Sequence, residues 1–183
     1  YDSQLIYSDV YATMALAAQH TSRIKLGTLV AIPSNRIAPV TASAIATINK
    51  LAPGRVILAM GTGYTGRNTM GLPAISVNRL KEYTQQIQGL LRGEDVLFRE
   101  GERERWIRLV HADQEGFINI KDPIPVYLAA NGPRGQEVVG ELADGWVTTQ
   151  RVRRSLDTEI TTICNAAGRA GRSTAKPYIV ALT

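Results

Sequence analysis

Cysteine and histidine are nearly absent from this chain: one cysteine, Cys164, and two histidines, His20 and His111, stand in 183 residues. A lone thiol cannot close an internal disulfide, so the expected setting is reducing and cytoplasmic. Cys164 falls in a helical pattern with Ile160, Ile163 and Ala167, which suits a core residue better than a nucleophile. So few thiols and imidazoles argue against a zinc site, and no metal is expected. Aromatic residues make up 6% of the chain. None interleaves with a basic stripe, which argues against nucleic acid as a partner. No apolar run approaches the ~20 residues of a bilayer crossing and no secretory signal is visible, so no membrane role is expected.

What is present is ordinary globular material, 44% hydrophobic and 20% charged, enough to bury the core of one domain. The net charge of +5 describes a mildly basic surface and also suits an anionic small-molecule ligand. Ser8 or Asp9 can cap a helix running to about His20. Arg23 to Ile32 reads as a strand, broken by Pro33-Ser34-Asn35. Pro39 suits the first turn of a helix ending near Leu51, and Arg55 to Met60 reads as a buried strand. A glycine-rich loop follows, from Gly61 to Pro73. Ser76 can cap a long helix with Leu80, Tyr83, Ile87, Leu90 and Leu91 on one face, stopped by Gly93. Residues 94–123 read as an excursion, a hairpin around the charged turn at 100–104, whose alternating arginines and glutamates suit a solvated face. Beyond it come strand 125–130, helix 134–142, strand 146–149, helix 156–171 and strand 178–182.

Alternating strands and helices mean a parallel sheet covered by helices. Gly61-Thr62-Gly63-Tyr64-Thr65-Gly66 matches the spacing of a dinucleotide-binding fingerprint, but Arg67 to Pro73 does not read as opening a helix, so the match is discounted. The other architecture that fits is a (β/α)8 TIM barrel. Such a barrel needs about 250 residues, and the five strands read here make an arc that cannot close. Either the fold is open or the sequence is part of a barrel, and the second reading is favoured. A single partial barrel domain over 1–183 is expected, in a sequence that starts at Tyr1 rather than methionine.

Two stretches locate a site. Gly27-Thr28-Leu29-Val30-Ala31-Ile32-Pro33 and Met60-Gly61-Thr62-Gly63-Tyr64 each run off the end of an apolar strand. Glycine and threonine there leave backbone exposed at one rim, and active sites of these barrels sit at the carboxyl ends of the strands. His20 and His111 are not at strand ends and are expected to play surface roles.

Several segments, in order and spacing, resemble the bacterial luciferase-like superfamily, and within it the methylenetetrahydromethanopterin reductase-like branch. They are Tyr1-Asp2-Ser3, Thr21 to Thr28, Ala38 to Ala42, Leu51 to Gly63, Pro125 to Arg134 and Ala143 to Val147. The resemblance implies a (β/α)8 barrel of which about strands three to seven are present. It implies a cofactor, FMN or the deazaflavin coenzyme F-420, and hydride transfer to, or monooxygenation of, a small organic substrate. It places Tyr1-Asp2-Ser3 at the end of the second strand, and family members often form homodimers. The turn at 150–154 is tighter than the family usually shows.

Residue by residue, the resemblance matches Leu29–Val30 to a non-proline cis peptide that backs the ring, with Thr28 beside it. Gly61, Thr62 and Gly63 would allow close approach of main chain to the cofactor, and Asn68 could reach the ring or ribityl chain. Asn131-Gly132-Pro133-Arg134 bridges a strand to a helix start, where free N–H groups and a guanidinium suit phosphate. Ser3 would contact cofactor. Asp2 and Tyr64 are the candidate acid–base residues, Tyr64 through its phenol. Some sugar-phosphate-oxidising members of the family carry histidine at the position of Ser3 and glutamate at that of Tyr64. Their absence argues against that activity and keeps open a homologue that holds cofactor without turnover.

Overall fold

A computed structural model describes residues 1–110, 116–149, 156–174 and 176–182. His111 and the turn at 150–154 lie outside the described residues. The opening residues lead into helix α1 (Val10–His20), capped by Asp9, whose carboxylate accepts the Ala12 N–H at 2.9 Å. That bond is the main reason the Asp9 carboxyl sits below its ordinary range.

The expected strand at 23–32 is much shorter. Strand β1 is Leu26–Gly27 alone, followed by a single parallel bridge from Ala31 to Met60. Between them the Leu29–Val30 peptide is cis and the ladder is interrupted. Thr28, 2% exposed, fills the gap with its side chain. A 3-10 turn at Pro33–Asn35 leads to α2 (Ala38–Leu51), with Pro39 in its first turn. Strand β2 (Val56–Gly61) follows.

The glycine loop differs from expectation, because Tyr64–Asn68 forms a short helix, α3. Gly63, at φ 77°, supplies the left-handed turn that lets it start directly after the strand. Helix α4 (Val77–Leu91) is capped by Ser76 and terminated by Gly93 at φ 74°. The excursion is an antiparallel hairpin, β3 (Val96–Glu100) with β4 (Arg103–Ile107). Its return is held by the buried Asn49, whose amide donates to the carbonyls of Asn119 and Asp122. The chain then runs through β5 (Val126–Ala129), α5 (Pro133–Leu142), β6 (Gly145–Thr148), α6 (Asp157–Arg169) and β7 (Tyr178–Ala181).

The main sheet is parallel, in the order β1-β2-β5-β6-β7. It is an arc of a (β/α)8 barrel. Side chains alternate across it. Val56, Leu58, Met60, Val126, Leu128 and Trp146 enter one core with Ile45, Leu80, Ile87 and Leu90 from the helices. The alternate set, Ala59, Gly61, Tyr127, Ala129 and Val147, takes the opposite, concave face. Burial on both faces explains why β2 reads as a continuous apolar run.

Candidate active site at the carboxyl ends of the strands

The register puts three apolar positions in a row. Gly61 pairs with Ala129, and Ala129 with Val147. All three belong to the concave face of the arc, at the ends where the strands finish. They floor a cleft of about 350 Å³, within the range of small-molecule sites. Leu29 and Val30 back one side, Thr62 to Gly66 form a wall, and Tyr1 to Ser3 lie across the end. Asn131, Thr149 and Leu182 close the far side. A larger hollow of about 800 Å³ near the start of β5, lined by Gln88, Arg92, Lys121, Asp144 and Arg172, is away from the strand ends.

The floor is tight. A Cβ on Gly61 would stand 2.8 Å from Val30 Cγ2 and 3.2 Å from Ala129 Cβ. Glycine at 61 therefore keeps the floor flat where the Leu29–Val30 turn meets it. Gly63 is equally confined, since a Cβ there would lie 2.6 Å from Ile32 Cγ2.

Asp2 reaches across the end of the cleft. Its Oδ2 accepts the Ile32 N–H at 2.8 Å and its Oδ1 accepts the Gln4 amide at 3.0 Å. Burial pushes its carboxyl above the ordinary range, against the opposing pull of the Ile32 N–H. Ser3 lines the cleft beside it, and Tyr64 stands at the mouth, 72% exposed. On the far side, Asn131 is oriented by the ends of β6. Its Oδ1 accepts from Thr148 and its amide donates to Thr149, both at 3.1 Å.

Of the residues expected at the site, Asp2, Ser3, Leu29, Val30, Gly61, Thr62, Gly63, Tyr64 and Asn131 line the cleft. Thr28, Asn68, Gly132, Pro133 and Arg134 do not. Thr28 is turned away from the cleft: its hydroxyl is used up on the Ala59 backbone. Asn68, at the end of α3, is exposed. Gly132, Pro133 and Arg134 begin α5 on the solvent side of Asn131, and a Cβ on Gly132 would meet nothing within 4 Å. Tyr1, Ile32, Thr65, Gly66, Ala129, Val147, Thr149 and Leu182 line the cleft without having been singled out in the sequence. The ends of the later strands carried a usable signal, because every carboxyl end belongs to the same rim. The row through Ala129 and Val147 needed the register.

A parallel arc with a cleft at its carboxyl rim defines the class, part of a barrel of the kind whose sites sit among the strand ends. The particular family follows from comparison: residues 1–183 match the model of the luciferase-like monooxygenases, and the chain belongs to that family. It is 32% identical over 166 residues to a 5,10-methylenetetrahydromethanopterin reductase of Methanolobus tindarius, covering 90% of this chain and 49% of that one. It is 36% identical over 160 residues to an F420-dependent glucose-6-phosphate dehydrogenase of Nakamurella multipartita, covering 83% and 45%. Among solved structures, the coenzyme F420 dependent tetrahydromethanopterin reductase of Methanopyrus kandleri superposes with a TM-score of 0.78 at 28% identity, over 96% of this chain and 54% of that one. A monooxygenase of Streptomyces bottropensis superposes with a TM-score of 0.75 at 17% identity, over 94% and 53%, a likeness of fold. The chain spans about half the length of the curated relatives it matches.

Proposed function

We propose that this chain forms the cofactor-holding arc of an oxidoreductase that uses FMN or coenzyme F-420 on a small organic substrate. The observation that carries the reading is the level row Gly61–Ala129–Val147 backed by Leu29 and Val30. It is a flat apolar floor, bordered by hydroxyl and amide groups from Thr62, Asn131 and Thr149. That donor set and the absence of a Cβ at Gly61 fit a planar ring with a polar edge. The names of relatives support F-420, and FMN is what the family resemblance implies.

When bound, the cofactor would supply hydride transfer or oxygen activation; the chain's task is to hold, orient and shield it. In this reading Gly61, Thr62 and Gly63 meet the ring through main chain and one hydroxyl. Asn131 holds the polar edge, and Ser3 touches the cofactor. Gly132, Pro133 and Arg134, at the α5 N-terminus just outside the cleft, receive a phosphate. Thr28 acts behind the turn at Leu29–Val30, and Asn68 at the outer end of α3 serves the part of the cofactor that leaves the cleft. Asp2, whose carboxyl burial pushes above its ordinary range, and Tyr64 at the mouth are the acid–base candidates. The whole forms a single domain with the hairpin as its excursion.

A cytoplasmic setting and a homodimer belong to the same proposal. The single cysteine supports the first. The outer faces of α1 and α2, where Leu16 and Val40 are exposed, support the second. Among the described residues, no helix is long and apolar enough to cross a membrane.

The test is to offer purified protein each cofactor in turn and follow the visible band that stays with it, then to challenge the complex with hydride donors. A retained band and turnover support the oxidoreductase. A retained band without reduction by any donor points to a homologue that binds without turnover. No retention of either removes the reading.

A further inference from the structure

We propose that Arg67 is a positioning residue: it clasps the loop of residues 62–75, whose first part is the cleft wall, to the neighbouring turn at Pro33–Asn35 and thereby sets the cleft's width. Its functional readout rests on the cofactor reading above.

Arg67 is the hub of its loop. Its N–H donates to the Gly63 carbonyl at 2.9 Å, and its own carbonyl accepts the N–H groups of Met70 and Leu72, both at 3.0 Å. The guanidinium Nε donates to the Pro73 carbonyl. Nη1 crosses to the next loop and donates to Ser34 Oγ at 2.6 Å. Ser34 lies two residues after Ile32, against which the wall is packed. A Cβ on Gly66 would stand 2.7 Å from Ile32 Cδ1 and 3.3 Å from both the Asp2 carbonyl and Ser3 Cα.

The wall therefore meets its neighbours through glycines, which permit close approach but fix no angle. The fork of the guanidinium fixes one, because it meets Pro73 and Ser34 in a set geometry that an ammonium cannot copy. The residues it steadies, Thr62 to Gly66, are those that line the cleft. A site whose parts shift by about an ångström loses much of its selectivity for a bound geometry.

The experiment compares wild type with Arg67→Met, Arg67→Lys, Ser34→Ala and the Arg67→Met/Ser34→Ala double variant. Dissociation constants for FMN and for F-420 are read from the visible band, thermal midpoints are recorded, and amide exchange is followed without cofactor. The clasp predicts that Arg67→Met, which removes the bonds to both Pro73 and Ser34, weakens the retained cofactor about tenfold. Exchange speeds up at Leu72 and Ile75 but not at Leu58 in β2. Arg67→Lys recovers part of the affinity, and the double variant is no weaker than Arg67→Met alone. Affinity within twofold of wild type, or equal acceleration at Leu58, overturns the proposal. If wild type retains neither cofactor, the functional reading falls, while unchanged exchange at Leu72 and Ile75 in Arg67→Met separately overturns the clasp.

Discussion

The Thr28 hydroxyl stands in for a stretch of missing sheet: it donates to the Ala59 carbonyl at 2.6 Å and accepts the Ala59 N–H at 2.9 Å. The Ala31 N–H also reaches the Ala59 carbonyl, at 2.8 Å, as the ladder resumes. Replacing Thr28 with the isosteric valine leaves the carbonyl one partner and the buried N–H none. Thr28→Val is expected to cost about 2 kcal/mol, the scale of an unsatisfied buried donor. Thr28→Ser retains the hydroxyl and should lose less. Denaturant unfolding of the three proteins measures the order; equal stability of Thr28→Val and wild type contradicts it.

Gly61 is held by its neighbours on both sides of the cleft floor. Gly61→Ala forces a methyl group to within 2.8 Å of Val30 Cγ2. Either the turn at residues 29–30 or β5 must give way, an overpacking cost of about 1–3 kcal/mol. Cofactor affinity, followed by titration of the visible band, is expected to fall by at least about tenfold. An alanine variant that binds as tightly as wild type shows that the floor is not where the ring rests.

Asp2 carries a pH signature of definite sign. Its carboxyl titrates above the ordinary value in the folded chain because burial disfavours the charge. The folded state then holds the proton at pH values where the unfolded chain has released it. Its unfavourable effect is absent below the ordinary carboxylate range, grows as pH rises towards the folded pKa, and is constant beyond it. Asp2→Asn removes the titration and leaves an oxygen for the Ile32 N–H. The stability of Asp2→Asn relative to wild type should therefore rise with pH through that window and then level off. Unfolding midpoints across a pH series test this, and a difference that falls with pH reverses the sign.

Arg134 stands exposed at the start of α5, whose cap residue Gly132 has no side chain to cap the helix. If a phosphate is received there, Arg134→Met should weaken FMN about tenfold while leaving riboflavin, which lacks the phosphate, unchanged. The FMN loss should shrink at high salt. Parallel losses for the two ligands place the effect elsewhere. The thermal midpoint is expected to stay near that of wild type, because the side chain is on the surface.

The carboxyl-rim placement was readable from Gly61-Thr62, which ends an apolar run and lines the cleft, whereas Gly27-Thr28 ends one without lining it. The same local logic failed at two places. The run from Arg23 to Ile32 looks extended throughout, yet pairs only at Leu26–Gly27 and Ala31, since a side chain substitutes for backbone in between. The loop after Gly61 looks too rich in glycine for a helix, yet Tyr64–Asn68 closes a turn once Gly63 adopts a positive φ. Thr28 itself shows the limit of reading residue types: a hydroxyl beside a cleft is indistinguishable, in one dimension, from a hydroxyl behind it.

By itself the sequence determined the alternation of strands and helices, the caps at Asp9 and Ser76, the stop at Gly93 and the family. These are properties of residues within a few positions of one another, or of motif order along the chain. Only the tertiary structure decided that Gly61, Ala129 and Val147 stand side by side, that Asp2 reaches Ile32 and that Arg67 reaches Ser34. Those relations depend on strand register and loop packing between segments tens of residues apart, and hydrophobic periodicity specifies which face a residue takes but not which partner it meets there.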